Sequence, residues 1–252
     1  MIITIDGPTA SGKSTIAYTL ARDCKLTYLN TGLLYRAFAH CLVHERGYTQ
    51  EDFMTPKSND IAFVRDANLI AYSYNATDGA RICYKGEIIT HLLKLPHVDR
   101  WASVLSAQPE IRAALLDIQR NIARQGAAVA DENNYGTDTA GKNCSTDTDR
   151  HNNRGTIADG RDCGTVVFPH ADYKFFVTAT PETRARRWRL DQEKRGVTLS
   201  FEAALQALLE RDTRDTTRTH APLLIPPDAH MIDNSGMTAD ETAEHIKKII
   251  WQ

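Results

Sequence analysis

Short apolar runs alternate along this chain with longer stretches in which apolar residues recur every three or four positions. Runs rich in β-branched and aromatic residues predict buried strands, and apolar residues at helical spacing predict amphipathic helices. The predicted strands lie near residues 2–6, 27–29, 156–160, 173–179 and 230–234. Strands that alternate with helices in this way favour an α/β fold, in which a parallel sheet carries helices on both faces.

Capping residues predict where several helices begin and end. Thr238-Ala239-Asp240-Glu241 has the form of a capping box, and Ser200 can cap a helix that runs to about residue 214. Residues 98–126 also have a helical pattern. The predicted helix ends are Gly47, Gly126 and Gly196. Predicted first turns lie at Pro109 and at Thr180-Pro181.

A different pattern occupies residues 69–89. Two β-rich runs, 69–76 and 80–89, flank Asp78-Gly79, which is a strong signal for a tight hairpin turn. We therefore expect a small antiparallel insertion in the otherwise parallel α/β pattern.

The most informative local motif follows the first predicted strand. It has the form G-x-x-x-x-G-K-S and reads Gly7-Pro8-Thr9-Ala10-Ser11-Gly12-Lys13-Ser14. A strand, a glycine-bounded loop and a helix in this order predict a phosphate-binding P-loop at the carboxyl end of the sheet. Lys13 would supply charge to the outer phosphates, and the Ser14 hydroxyl is placed to bind Mg²⁺. A glycine-rich turn that matches by chance is the alternative, but position, flanks and fixed residues all agree with the P-loop.

Composition limits the function classes. The 252 residues carry a formal net charge of −2, so there is no overall basic field and we expect no nucleic-acid partner. Five scattered cysteines without a C-x-x-C pair argue against a disulfide framework or a zinc site. Without a signal peptide or a long apolar run, we expect no membrane association and a cytoplasmic location.

The polar segment 131–153 has little to bury and predicts a solvated surface loop. An Asp-rich metal site is the alternative, but the stretch Asp147-Thr148-Asp149-Arg150-His151 lacks the glycine and the terminal glutamate of an EF-hand loop.

Arginines concentrate in the carboxyl-terminal part of the chain. Eight fall within 35 residues, at Arg184, Arg186, Arg187, Arg189, Arg195, Arg211, Arg214 and Arg218. Arginine binds phosphate oxygens in a bidentate manner, and a transferring phosphoryl group needs such clamps. A solvated helix face with pairs such as Glu210 and Arg214 is the alternative for any single arginine.

Three further strings, together with Ile5-Asp6-Gly7-Pro8, closely resemble bacterial-type cytidylate kinases, in order and over nearly the whole chain. They are L-N-T-G-L-L-Y-R at 29–36, I-A-D-G-R-D-C-G-T-V-V-F-P at 157–169 and E-R-D-T-R-D-T-T-R-T-H-A-P-L at 210–223. The D-G-R-D-x-G-T-V-V-F-P pattern in the second string is highly specific to that family.

The resemblance implies a P-loop nucleoside-monophosphate kinase fold with a five-stranded parallel sheet, a small antiparallel monophosphate-binding insertion and a mobile helical lid. We expect one kinase domain over residues 1–252, with the insertion at 62–97, the polar loop at 131–153 and the lid at 180–197.

The resemblance also implies roles for individual side chains. The phosphate of CMP would be held by Arg36, Arg161 and Arg218. Cytosine would be read by Ser103, Arg112 and Asp162. Asp215, with Arg211 beside it, would bind the ribose hydroxyls, and Thr31 would lie at the monophosphate site. ATP would contact residues 7–15, that is Gly7, Pro8, Thr9, Ala10, Ser11, Gly12, Lys13, Ser14 and Thr15. Lys13, Arg161, Arg218 and the lid arginines Arg184 and Arg187 would serve catalysis.

A purely structural role remains the alternative for several residues in the family strings and the predicted site. Asp159 could serve only to order the loop after its strand, Ser103 could be a helix-surface hydroxyl, and Tyr35 is better explained by packing. Asn30 departs from the family, which usually has aspartate there, and the segment 131–153 is an insertion.

The function that fits best is transfer of the γ-phosphoryl group of ATP to CMP or dCMP with Mg²⁺, in a protein that we expect to be a monomer. A kinase of UMP, AMP or shikimate is the nearest rival. A P-loop switch is a rival of another class, but it would not need a second arginine cluster.

Overall fold

A computed structural model describes residues 1–49, 51–54, 70–128 and 155–252. The predicted polar loop at 131–153, Leu69 and the first part of the predicted insertion lie outside these ranges.

The described chain contains strands and helices in the alternating order that its sequence pattern predicts. The strands are β1 Ile2–Asp6, β2 Thr27–Asn30, β3 Ile70–Asn75, β4 Gly79–Tyr84, β5 Glu87–Ile88, β6 Thr156–Gly160, β7 Tyr173–Thr178 and β8 His230–Asp233. The helices are α1 Lys13–Cys24, α2 Thr31–Arg46, α3 Pro96–Leu105, α4 Pro109–Ala128, α5 Pro181–Lys194, α6 Phe201–Thr217 and α7 Ala239–Ile250. Single 3₁₀ turns lie at Asp52–Met54 and Leu92–Lys94, and a π-helical turn at Cys163–Val167.

The strands form two sheets. Five strands form a parallel sheet in the order β2-β6-β1-β7-β8, and β3-β4-β5 form an antiparallel sheet. In the register of β1 and β7, Ile3 lies opposite Tyr173 and Ile5 opposite Phe175. Ile3, Ile5 and Phe175 are fully buried, as expected for central strands of a parallel sheet. The predicted fold class is confirmed.

The described residues divide into two compact units. The first unit is Met1 with Ala21–Thr156, and the second unit is Ile2–Leu20 with Ile157–Gln252. The first unit has an apolar core in which side chains from α2, α3 and α4 pack together. Its members include Tyr35, Phe38, Leu42, Phe53, Leu105, Ile111 and Leu115. No helix in the described ranges is long and apolar enough to span a membrane.

Most predicted element ends agree with the structure, and the exceptions have local causes. Helix α2 ends at Gly47, which has the left-handed φ of 63° that the prediction requires. The predicted end at Gly126 is wrong, because α4 continues to Ala128 and a glycine inside a helix costs only about 1 kcal/mol. The predicted strand 80–89 is two strands, since Lys85 and Gly86 turn the chain with positive φ. Helix α6 also runs on to Thr217.

Asp6 connects β1 to the segment that follows β6 within the second unit. Its carboxylate oxygens accept hydrogen bonds from the backbone N–H groups of Cys163 at 2.8 Å and Gly164 at 2.7 Å. A Cβ at Gly164 would lie 2.9 Å from the Thr4 hydroxyl oxygen, so glycine allows this close approach. Burial raises the pKa of Asp6 to about 6, even though the two N–H groups favour the ionised form.

Stability should depend on pH through Asp6. Because its pKa rises from 3.8 to about 6 on folding, its contribution is fully present below the unfolded value and is lost as the pH rises through about 6. Asp6→Asn removes this titration at similar size. The unfolding free energy of the wild type minus that of Asp6→Asn should therefore fall by about 3 kcal/mol between about pH 3 and about pH 7. Urea unfolding across this range measures the difference, and parallel pH curves for the two proteins would contradict the prediction.

Candidate active site

The P-loop connects β1 to α1 in the second unit. A Cβ at Gly7 would lie 2.0 Å from the Val177 carbonyl oxygen of β7, so no side chain fits there. Gly12 has a φ of +87°, and Ala10 also has a positive φ, of 59°. Because α1 begins at Lys13, its first N–H groups point toward the loop, as in an anion-binding helix N-terminus.

Lys13 is buried, and its Nζ donates to the Pro8 carbonyl oxygen at 3.0 Å. Burial, helped by the positive charge of Arg161, lowers the pKa of Lys13 to about 7. The side chain is therefore held beside the loop with its positive charge only partly present near neutral pH.

The Ser14 hydroxyl donates to a carboxylate oxygen of Asp159 at 2.5 Å. Asp159 is near the end of β6 and is 2% exposed. A hydroxyl at the start of the P-loop helix beside a carboxylate from a neighbouring strand is the oxygen donor set that holds Mg²⁺ in P-loop enzymes. These residues fit the ion, and they give Asp159 a contact beyond the ordering of its own loop.

Arg161 lies just after β6 and contacts three elements of the second unit. Its Nε donates to Asp215 at 2.8 Å, its Nη1 to the Gly160 carbonyl at 3.3 Å and its Nη2 to the Thr9 hydroxyl at 3.0 Å. Burial opposes ionisation of Asp215, but Arg161 and Arg211 hold its pKa below the usual range.

Arg218 and Asp162 form a second charged pair near the same strand end. Their side chains are almost completely buried, with Nη2 and Oδ1 3.7 Å apart. The Nε of Arg218 also donates to the Ala221 carbonyl at 2.7 Å. Hence four residues predicted for the acceptor, Arg161, Asp162, Asp215 and Arg218, are joined in two ion pairs within the second unit.

The two predicted lid arginines are anchored to the P-loop and its neighbours. Arg184 is 6% exposed and donates to Asp212 and to the Thr9 carbonyl. Arg187 donates to both oxygens of Asn234, whose Nδ2 donates to the Ser11 carbonyl at 3.0 Å. Direct contact of either arginine with the transferred phosphoryl group stays a prediction, as does the lid role of 180–197.

Two predicted acceptor residues of the first unit lie on α2. Thr31 is its first residue and is 4% exposed. Arg36 donates through Nε and Nη2 to one carboxylate oxygen of Asp99, at 3.0 and 2.7 Å. Asp99 on α3 thus orients the guanidinium and neutralises it in part.

The predicted base-reading residues of this unit lie on α3 and α4. The guanidinium of Arg112 lies 5.6 Å from the ring centre of Tyr35, and Nη1 donates to the Ser106 carbonyl at 3.0 Å. Tyr35 is in the apolar core, which supports the packing interpretation. The Ser103 hydroxyl oxygen is buried and has no hydrogen-bond partner among the described residues. A buried hydroxyl in this state is suited to a ligand.

Asn30 caps α2 in place of the aspartate usual in the family. Its Oδ1 accepts from the Leu33 N–H at 2.9 Å, and its Nδ2 donates to the Tyr28 hydroxyl at 3.0 Å. The Tyr72 hydroxyl accepts from the Asn30 N–H and donates to the Tyr28 carbonyl. The amide therefore performs the capping that a carboxylate would perform.

The sequence model of the cytidylate kinase family matches residues 3–143 and 145–252. The chain belongs to the cytidylate kinase family. A cytidylate kinase of Chlamydia muridarum is 34% identical over 252 residues, which cover 99% of this chain and 98% of that protein. The cytidylate kinase of Carboxydothermus hydrogenoformans is 33% identical over 250 residues, with 99% and 97% covered. The resemblance found in the sequence strings is confirmed.

Two carboxylates at the candidate site carry no sequence signal of their own. These are Asp99, which pairs with Arg36, and Asp212, which pairs with Arg184. From the sequence pattern alone, each would be an ordinary polar residue of a helix. Asp212 does lie inside the family string at 210–223, which is a weak indication of a functional role. Asp159 had a clearer signal, because a carboxylate near the end of a buried strand is typical of Mg²⁺ sites in P-loop proteins.

The cap at Asn30 should tolerate aspartate but not alanine. Asn30→Asp keeps an acceptor for the Leu33 N–H and adds negative charge at a helix N-terminus, so we expect a stability change within about 0.5 kcal/mol. Asn30→Ala should cost about 1 kcal/mol, because the N–H loses its acceptor. Chemical denaturation of both variants measures this. An equal loss in both would show that the amide donor to Tyr28 matters more than the cap.

ATP binding should take up a proton through Lys13. With a pKa of about 7, Lys13 is mostly neutral above neutral pH, and polyphosphate beside it would restore its charge. We expect uptake of about 0.9 proton near pH 8 and about 0.1 near pH 6. Calorimetry in two buffers of different ionisation enthalpy measures the uptake. Lys13→Arg cannot titrate and is the control, so equal uptake in both proteins would contradict the assignment.

Proposed function

We propose that this protein transfers the γ-phosphoryl group of ATP to CMP and dCMP. The observation that carries the proposal is the combination of a complete P-loop with a second, separately paired set of arginines and carboxylates, in a chain of the cytidylate kinase family. One anion site serves the donor and the other serves an acceptor that itself bears a phosphate.

The donor would bind at residues 7–15. Lys13 supplies positive charge to the outer phosphates, and helix α1 offers its N-terminal N–H groups to them. Ser14 and Asp159 would hold Mg²⁺, which when bound offsets the charge on the phosphates. No protein nucleophile is needed, because an oxygen of the acceptor phosphate attacks in line.

The acceptor phosphate would be held by arginines. In the second unit these are Arg161 and Arg218, and each is already oriented by a carboxylate. In the first unit Arg36 is oriented by Asp99 in the same way. Pairing keeps these guanidinium groups in place before a phosphate arrives, which lowers the entropy that binding would cost.

The base would be read by Asp162, Arg112 and Ser103. Cytosine has an exocyclic amino donor beside a ring-nitrogen acceptor. An ionised carboxylate can accept from the amino group, and a guanidinium can donate to the ring nitrogen or carbonyl. Uracil reverses both features, so buried polar groups would be left unpaired. The buried Ser103 hydroxyl, with no partner in the described part of the chain, supports a role in reading the base.

The sugar would be bound by Asp215, with Arg211 beside it. The low pKa of Asp215 keeps the carboxylate ionised, which is the form that accepts hydrogen bonds from two ribose hydroxyls. dCMP keeps one of these two hydroxyls, so the preference between CMP and dCMP depends on how much of the contact that hydroxyl preserves.

A monomer in the cytoplasm fits this proposal. Five scattered cysteines without a C-x-x-C pair are typical of a protein in a reducing compartment. Sedimentation of the purified protein would test the monomer directly.

The test is ADP formation with CMP, dCMP, UMP, AMP and shikimate as acceptors. We expect turnover that depends on added acceptor, with CMP preferred over UMP by roughly 10² in kcat/KM. Asp162→Ala should narrow this gap mainly by impairing CMP, whereas Asp117→Ala, an exposed carboxylate on α4, should not. Equal use of UMP and CMP would refute the base assignment. Slow hydrolysis that no acceptor stimulates would favour the P-loop switch.

A further inference from the structure

Thr9 of the P-loop makes hydrogen bonds with three charged side chains. Its N–H donates to Asp212 at 3.1 Å, its carbonyl accepts from Arg184 at 3.1 Å and its hydroxyl accepts from Arg161 at 3.0 Å. The residue is 5% exposed. Each of these three partners comes from a different element of the second unit.

Asp212 and Arg184 together hold the backbone of Thr9. Asp212 lies on α6 and Arg184 on α5, and the two side chains form an ion pair. The Nε of Arg184 donates to the Ala179 carbonyl at 3.0 Å, so Nε and Nη1 of this buried guanidinium both donate to protein oxygens. The two helices therefore clamp one peptide segment of the P-loop from both its N–H and its carbonyl.

The Thr9 hydroxyl in turn constrains Arg161. Asp215 accepts from the Nε of Arg161 and the Gly160 carbonyl accepts from its Nη1. Thr9 binds Nη2, and it is the contact that joins this arginine to the P-loop. A planar guanidinium held at all three nitrogens has a defined orientation, whereas one held at two can tilt.

We propose that Thr9 is a positioning residue: its hydroxyl sets the orientation of Arg161, and Asp212 and Arg184 hold Thr9 in place for this role. The inference rests on the proposed function, in which Arg161 binds the acceptor phosphate. In this proposal Arg184 acts by holding the Thr9 carbonyl of the P-loop in place. It also explains why a residue with a hydroxyl occupies a loop position where the phosphate-binding motif itself allows any residue.

Thr9→Val tests the hydroxyl, because valine has the same shape but no acceptor. We expect the Kd for CMP without ATP and the KM for CMP to rise about tenfold to hundredfold, with a much smaller rise in the Kd for ATP, because the change removes only the hydroxyl that contacts Arg161 and keeps the loop backbone. Thr9→Ser restores the hydroxyl and should recover CMP binding to within about threefold. Thr4→Val is the matched control, because the buried Thr4 hydroxyl has no partner among the described residues. Unchanged CMP binding in Thr9→Val, or equal losses for CMP and ATP with a lower Tm, would overturn the proposal.

Two readouts need no substrate and separate this inference from the proposed function. The NMR signal of the Arg161 Nε–H should show greater mobility in Thr9→Val than in Thr9→Ser. Amide hydrogen exchange at Thr9 should be at least about tenfold faster in Asp212→Ala. Asp228→Ala is the control, because Asp228 pairs with Lys174 in the same unit. If the wild type neither binds nor phosphorylates CMP, the proposed function fails, and unchanged mobility and exchange would independently refute the positioning role.

Discussion

Charges that are buried around the P-loop must find partners, and this requirement organises the second unit. An unpaired ion in the interior costs several kcal/mol or changes its protonation state. Arg161 is paired with Asp215 and Arg184 with Asp212. Because the partners lie on separate elements, each pair also fixes one element against another. The orientation of the groups proposed to bind phosphate is therefore a consequence of how the protein satisfies its own buried charges.

Some groups near the P-loop are satisfied only in part, and these are the ones that a ligand would complete. Lys13 is buried with a pKa of about 7, so negative phosphate oxygens would restore its full charge. The Ser11 hydroxyl in the loop is buried without a hydrogen-bond partner in the described ranges. Such groups cost stability in the unliganded protein, and they are retained where function requires them.

The first unit shows how a departure from the family can leave local structure intact. Asn30 replaces the usual aspartate, yet it caps α2 and joins the hydroxyls of Tyr28 and Tyr72. The capping oxygen is common to both side chains, so the helix start does not depend on the charge. Any effect of the missing charge would appear in ligand binding and not in folding.

The sequence by itself determined the features of local structure that depend only on residues close together in the chain. The strands, the P-loop, the end of α2 at Gly47 and the capping box at Thr238 follow from apolar periodicity and local backbone chemistry. Family strings also predicted most of the candidate site. Only the tertiary structure decided which partners these residues have. Asp6 bonds to a backbone 158 residues away and Thr9 to a carboxylate 203 residues away, and no local pattern records such a pairing. Hydrogen bonds and ion pairs between distant segments are chosen by the packing of the elements, since only the fold brings donor and acceptor together.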